Sequence, residues 1–120
     1  MTEYEDPIIS EILSVAPFPV EVDCTDYPDV IFNVMFDSEP DSNTVQTCVA
    51  TLDKYMNTYN RRRLFNKIHY VSDVDKLPPQ LSIFAVSIHM DFGHAHPRAL
   101  VGAVKALVST DLPITRLYLE

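Results

Sequence analysis

Three of the four histidines in this chain lie close to one another and to an acidic residue. His89 and Asp91 end a strongly apolar segment, and His94 and His96 follow across a turn. Alternate positions of a strand share one side, so these imidazole and carboxylate groups could converge on zinc or another divalent ion, or act as general acid and base. A small metal-dependent or acid–base enzyme that uses His89, Asp91, His94 and His96 is therefore the alternative function.

Local structure can explain the same histidine segment without an ion. His96 directly precedes Pro97, which is typical of a helix N-terminus, and Gly93 accounts for the turn. The chain has two glycines in all, so a phosphate-binding loop of the glycine-rich kind is excluded. We therefore expect no catalytic residue, no metal and no cofactor.

Charge is distributed unevenly along the chain. Twelve of the seventeen carboxylates lie within residues 1–53, which contain no lysine or arginine, and all nine bases follow. A field of this sign repels nucleic acid and anionic membranes and steers a protein toward basic surfaces. Arg61 to Arg63, with Lys67, are interpreted as a solvated helix end whose charges suit the helix dipole. The sequence thus predicts a basic protein partner, without nucleic-acid or membrane binding.

These charges favour a non-catalytic acidic binding module as the main function. The analogy is with immunity proteins and antitoxins, inhibitors that would neutralise a basic protein such as a nuclease toxin. The expected state is a monomer or a homodimer, and a homodimer that binds a small ligand between sheets is a third possibility. The candidate partner-binding residues are acids on an extended segment and on the loop after the first long strand: Asp23, Asp26, Asp29, Asp37, Glu39 and Asp41.

Size and composition predict one domain over residues 1–120. The chain is 47% hydrophobic and 22% charged, which is enough apolar surface for a core that needs no disulfide bond or metal. Apolar runs stop short of the ~20 residues of a membrane span, and the acidic N-terminus differs from a signal peptide. We expect a cytoplasmic protein with Cys24 and Cys48 as reduced, largely structural thiols, because Cys48 falls on the apolar side of a predicted helix.

Periodicity predicts the elements that would position these groups. Helical spacing marks residues 7–15, 43–60 and 99–108, with Asn43 as the cap of the second helix, and alternation marks strands at 30–37, 66–71, 81–91 and before Glu120. Residues 30–120 therefore predict an α+β, ferredoxin-like (βαββαβ) fold: a four-stranded antiparallel sheet with two helices on one face. Residues 1–29 form an acidic extension with a helix and an extended segment. The alternative is an α+β sandwich in which residues 18–26 supply a fifth strand.

The second face of such a sheet would be unusually apolar. If Val30, Phe32 and Val34 point to the helices, Ile31 and Met35 point away from them. Apolar patches of a few hundred Å² are usually covered, either by the chain itself or by a partner. We expect the N-terminal helix, a second copy or a partner to lie there.

Overall fold

The computed structural model describes residues 7–23, 27–61, 63–68, 70–73 and 84–120. These ranges contain three helices and five strands. In chain order they are α1 (Pro7–Val15), β1 (Val20–Val22), β2 (Asp29–Phe36), α2 (Ser42–Asn60), β3 (Tyr70–Asp73), β4 (Phe84–Asp91), α3 (Arg98–Val108) and β5 (Ile114–Leu119). None of these helices is both long and apolar enough to cross a membrane.

The strands form one sheet in the order β1-β5-β2-β4-β3. The neighbours among β2, β3, β4 and β5 are antiparallel, whereas β1 runs parallel to β5. The α+β class is therefore confirmed. The prediction of a purely antiparallel, four-stranded ferredoxin-like sheet is wrong in one respect, because the fifth strand makes the sheet mixed.

The fifth strand, β1, lies within residues 18–26, the segment that the alternative prediction assigned as a fifth strand. Leu117 N–H donates to the Pro19 carbonyl over 3.0 Å, and Asp23 N–H donates to the Leu119 carbonyl over 2.7 Å. Proline has no N–H to donate to a neighbouring strand. A segment rich in proline is therefore confined to the edge of the sheet.

Alternation along β2 and β4 places the core on one face of the sheet. Val30, Phe32 and Val34 of β2 are fully buried, and Ile88 and Met90 of β4 join them. The helices supply the opposite half of this core, most of all α3, with residues Ala99, Leu100, Val101, Ala103, Val104 and Leu107.

The N-terminal helix α1 belongs to the same layer as α2 and α3. Its Ile12 is fully buried in the common core, and Glu11 forms an ion pair with Arg98 of α3 at 2.9 Å. The expectation that α1 covers the second face of the sheet is therefore wrong. We call the face that carries Ile31, Asn33 and Met35 the open face.

The starts of α2 and β3 differ from the predicted ones because side chains form hydrogen bonds with backbone groups there. Helix α2 begins at Ser42 with Asp41 as its cap, since the Asp41 carboxylate accepts from Thr44 N–H at 2.8 Å. Strand β3 begins at Tyr70 and not at residue 66. The Asn60 amide bonds both the N–H and the carbonyl of Ile68, and Asn66 has φ of 58°, so this stretch cannot extend into a strand.

Candidate functional site

Strand register places a polar row across the middle of the open face. Glu21 of β1 is opposite Tyr118 of β5, Tyr118 is opposite Asn33 of β2, and Asn33 is opposite Ser87 of β4. Apolar or partly apolar positions flank the row, with Ile31 on one side and Met35 on the other, both partly exposed. The open face therefore combines hydrogen-bonding groups with accessible apolar surface.

Asn33 is the centre of a buried hydrogen-bond network in this row. Its carbonyl oxygen accepts from the Ser87 hydroxyl at 2.7 Å, and its Nδ2 donates to Oε1 of Glu120 at 3.0 Å and to the Tyr118 carbonyl at 3.3 Å. Asn33 is 3% exposed and Ser87 is 1% exposed. Because these polar groups satisfy one another, they can be buried without a large desolvation cost, and they fix the Glu120 carboxylate at the rim.

Four carboxylates lie at one end of the sheet, because Asp91 at the end of β4 is opposite Asp29. We call the three on or beside β1, β2 and β5 the acidic end: Asp23, Asp29 and Glu120. Strand β1 is parallel to β5, and β5 is antiparallel to β2, so the residues that follow β1 and β5 lie beside the start of β2. Glu120 exchanges two backbone hydrogen bonds with Ile31, at 3.0 and 3.1 Å. The acidic end thus borders the open face.

The Tyr118 hydroxyl responds to this concentration of negative charge. Its pKa is raised above the usual 10.0 because reduced hydration disfavours the phenolate and because Asp23, Glu120 and Glu21 lie near it. The phenol therefore stays neutral and keeps its proton for hydrogen bonding. An aromatic ring surrounded by carboxylates suits a cationic side chain, and arginine in particular can stack on the ring while pairing with the acids.

The remaining predicted contact residues lie elsewhere. Asp37, Glu39 and Asp41 are exposed and follow the last residue of β2. That residue lies roughly 24 Å from the first residue of the strand, at about 3.4 Å per residue. Asp41 has a structural role as the α2 cap, and its hydrogen bonds with Thr44 lower the pKa of its carboxyl. Asp26 lies outside the described residues. The predicted acids that the structure describes therefore lie near both ends of β2, and their contact with a partner stays a prediction.

The clustered histidines have different environments. His89 lies on the open face with its Nε2 3.0 Å from Oδ1 of Asp29, whereas His96 accepts the Arg98 N–H at 3.0 Å through Nδ1. The Asp91 carboxylate accepts from Gly93 N–H at 2.8 Å and shapes the turn in which His94 is exposed. Within the described parts of the chain, no group of three or more His, Cys, Asp or Glu residues is placed to hold a metal ion.

Cys48 is confirmed as a core residue. It is fully buried, and burial raises the pKa of its thiol to about 11, so it carries little of the thiolate that a nucleophile requires. Cys24 lies outside the described residues.

Sequence reasoning missed Glu21, Tyr118 and Glu120 as members of the site. The signal was present in the last strand, where Arg116, Tyr118 and Glu120 alternate with the buried Leu117 and Leu119. Alternation assigns these residues to a face, but it does not say which strand lies beside them. That pairing brings Glu21 and Asn33 to Tyr118.

Comparison of the chain with protein-family models, with curated proteins and with solved structures found no match.

Proposed function

We propose that this protein is a non-catalytic binding module whose open face and acidic end capture a basic protein. The observation that carries the proposal is the grouping of Glu21, Asp23 and Glu120 around a partly exposed tyrosine, on a sheet face that the described helices leave uncovered. An inhibitor of the immunity-protein or antitoxin type, which neutralises a basic toxin such as a nuclease, is the function we assign to such a module.

The acids and the apolar residues would contribute differently to binding. Exposed carboxylate pairs contribute about 0.2–1 kcal/mol each, so their main effect is to accelerate encounter with a cationic partner. Tyr118, Ile31 and Met35 offer the surface that a partner can dehydrate, and buried aromatic contacts supply much of the affinity of protein interfaces. Fast capture by charge and retention by the apolar centre together suit an inhibitor.

The acidic end is a better candidate for the contact than the loop over residues 37–41. Its carboxylates border a tyrosine and accessible apolar side chains, whereas Asp41 is engaged as a helix cap. Asp37 and Glu39 remain candidates for a secondary contact on a large partner, because both are exposed.

Site-specific photocrosslinking in the source cell tests the location of the contact. A photoreactive residue replaces Met35 or Arg116 on the open face, and Lys105, which is exposed on α3, is the matched position on the helical layer. The proposal predicts a cross-link to one basic protein from the first two positions and none to that protein from the third. Cross-linking from Lys105 alone would contradict it.

A further inference from the structure

The segment over residues 61–68, which we call the basic loop, presents two adjacent apolar side chains to solvent. Leu64 is 87% exposed and Phe65 is 79% exposed, whereas most large apolar residues in the described ranges lie in or against the core. Arg61 and Arg63 precede them and Lys67 follows. An exposed apolar pair between cations is unfavourable in water and marks a contact surface.

Contacts within the chain hold the basic loop in place. The Asn60 side chain at the end of α2 accepts from Ile68 N–H and donates to the Ile68 carbonyl, each at 2.8 Å. Arg63 lies over the Tyr59 ring, with its guanidinium carbon 3.9 Å from the ring centroid. These contacts anchor both ends of the loop, so Leu64 and Phe65 project from a fixed base.

The described cations of the basic loop form no ion pair with another described residue, and the Arg63 guanidinium lies over the Tyr59 ring. In the described ranges the ion pairs involve His89, Arg98 and Arg116, and none involves Arg61, Arg63 or Lys67. The loop is therefore a positive, apolar surface on a protein whose formal net charge is −8.

The basic loop and the acidic end lie at the same end of the sheet. The loop leads into β3, whose first residue pairs with Asp91, and Asp91 pairs with Asp29 at the start of β2. Three strand spacings separate β3 from β5, about 14 Å at 4.8 Å each. One end of the molecule thus carries the basic loop on one side and the acidic end on the other, with Asp91 between them.

We propose that two copies of this chain associate through that end, with the basic loop of each meeting the acidic end of the other. A two-fold axis between the halves brings both pairs of opposite charges together at once and closes the assembly as a dimer. Leu64 and Phe65 of one copy would cover Ile31 and Tyr118 of the other. The inference does not rest on the proposed function, because both halves of the contact belong to this chain. The second copy and a basic partner would compete for the acidic end.

An anionic membrane is the competing occupant, since apolar side chains among cations also suit a lipid surface. The arrangement of charge favours the second copy. A bilayer that met the basic loop would also face Asp23, Asp29 and Glu120 at the same end, and their charge would be repelled. A second copy turned by the two-fold axis offers each half its complement.

Two charge-reversed variants of the whole chain test the dimer. The first is Arg61→Glu with Arg63→Glu, and the second is Asp23→Lys with Asp29→Lys; all four side chains are exposed. Each variant places like charges at both contacts of its own dimer, which should weaken self-association by more than about 100-fold relative to the unaltered chain. Mixing the two variants restores opposite charges at both contacts, so the mixture should form a heterodimer.

Sedimentation velocity at low salt measures association, native mass spectrometry identifies the heterodimer, and far-UV circular dichroism verifies folding. Arg61→Gln with Arg63→Gln, a neutral version of the first variant, should weaken the dimer by a smaller factor. Three outcomes would overturn the proposal. These are an unaltered chain that stays monomeric at low salt, folded variants that fail to pair when mixed, and loop-dependent binding to phosphatidylserine vesicles by a chain that does not dimerise.

Discussion

Replacement of Asn33 by leucine tests whether the polar row organises the open face. Leucine has the same number and branching of side-chain heavy atoms but cannot hydrogen-bond to Ser87, Tyr118 or Glu120, the three partners of the Asn33 side chain. The site is 3% exposed, so water cannot replace the lost partners without rearrangement. Ser87 is the more affected neighbour because it is 1% exposed.

The expected cost follows from the groups that change. A buried hydroxyl without its acceptor costs about 1–3 kcal/mol, and a hydrogen bond to a charged group such as Glu120 contributes about 1.5–3 kcal/mol. Burial of leucine returns about 1.5–3 kcal/mol. We therefore expect Asn33→Leu to lower the free energy of unfolding by about 1–3 kcal/mol, the balance of these three contributions.

A double-mutant cycle isolates the contribution of the network. Removal of the hydroxyl as well, in Asn33→Leu with Ser87→Ala, abolishes the unsatisfied donor and should recover about 1–2 kcal/mol relative to additivity. Urea unfolding monitored by circular dichroism gives the free energies of unfolding, which are comparable when all variants show the same slope of free energy against urea concentration. A cost below about 0.5 kcal/mol for Asn33→Leu, or additivity within that limit, would refute the role assigned to the row.

Three further predictions concern the scaffold. Gly102→Ala should destabilise the fold by about 1–3 kcal/mol in thermal unfolding, since a Cβ would overlap the Tyr55 ring, and shortening Tyr55 to leucine should relieve the effect. In a Cys24→Ser background, Cys48 should react with an aromatic disulfide at least about 100-fold more slowly than a free thiol, because its pKa is about 11 and it is buried; equal rates would contradict its placement. The pKa of Asp41 is lowered from 3.8 by its capping hydrogen bonds, so its stabilisation is present above pH 3.8 and lost as the pH falls through its folded-state pKa. Asp41→Asn should remove that part of the pH dependence of urea unfolding, and an unchanged profile would exclude the cap.

Period and alternation predicted most of the scaffold. The alternating pattern identified the buried side of β2, and the apolar stripe placed Cys48 and Leu52 in the core. These predictions are confirmed because burial on one face of an element follows from its repeat. Boundaries were less predictable, since Asn60 and Asp41 compete for backbone groups through their side chains.

The candidate site was predictable in composition but not in arrangement. The excess of carboxylates in the first third was evident, yet the sequence could not say that Asp23 and Glu120 would flank the same tyrosine. That proximity depends on the parallel pairing of β1 with β5. Asp29 and Asp37 are eight residues apart in sequence but lie at opposite ends of β2, because a strand separates positions near in sequence by its full length. That these acids contact a partner stays a prediction.

The rate at which this chain associates with the basic protein identified by photocrosslinking would test the proposed function most directly. Asp23→Lys with Asp29→Lys and Asp37→Lys with Glu39→Lys each change the formal net charge from −8 to −4, at opposite ends of the sheet. Binding at the acidic end predicts that the first pair slows association by at least about tenfold at low salt and flattens its salt dependence, whereas the second pair has a much smaller effect. Equal effects of the two pairs, or a larger effect of the second, would contradict binding at the acidic end.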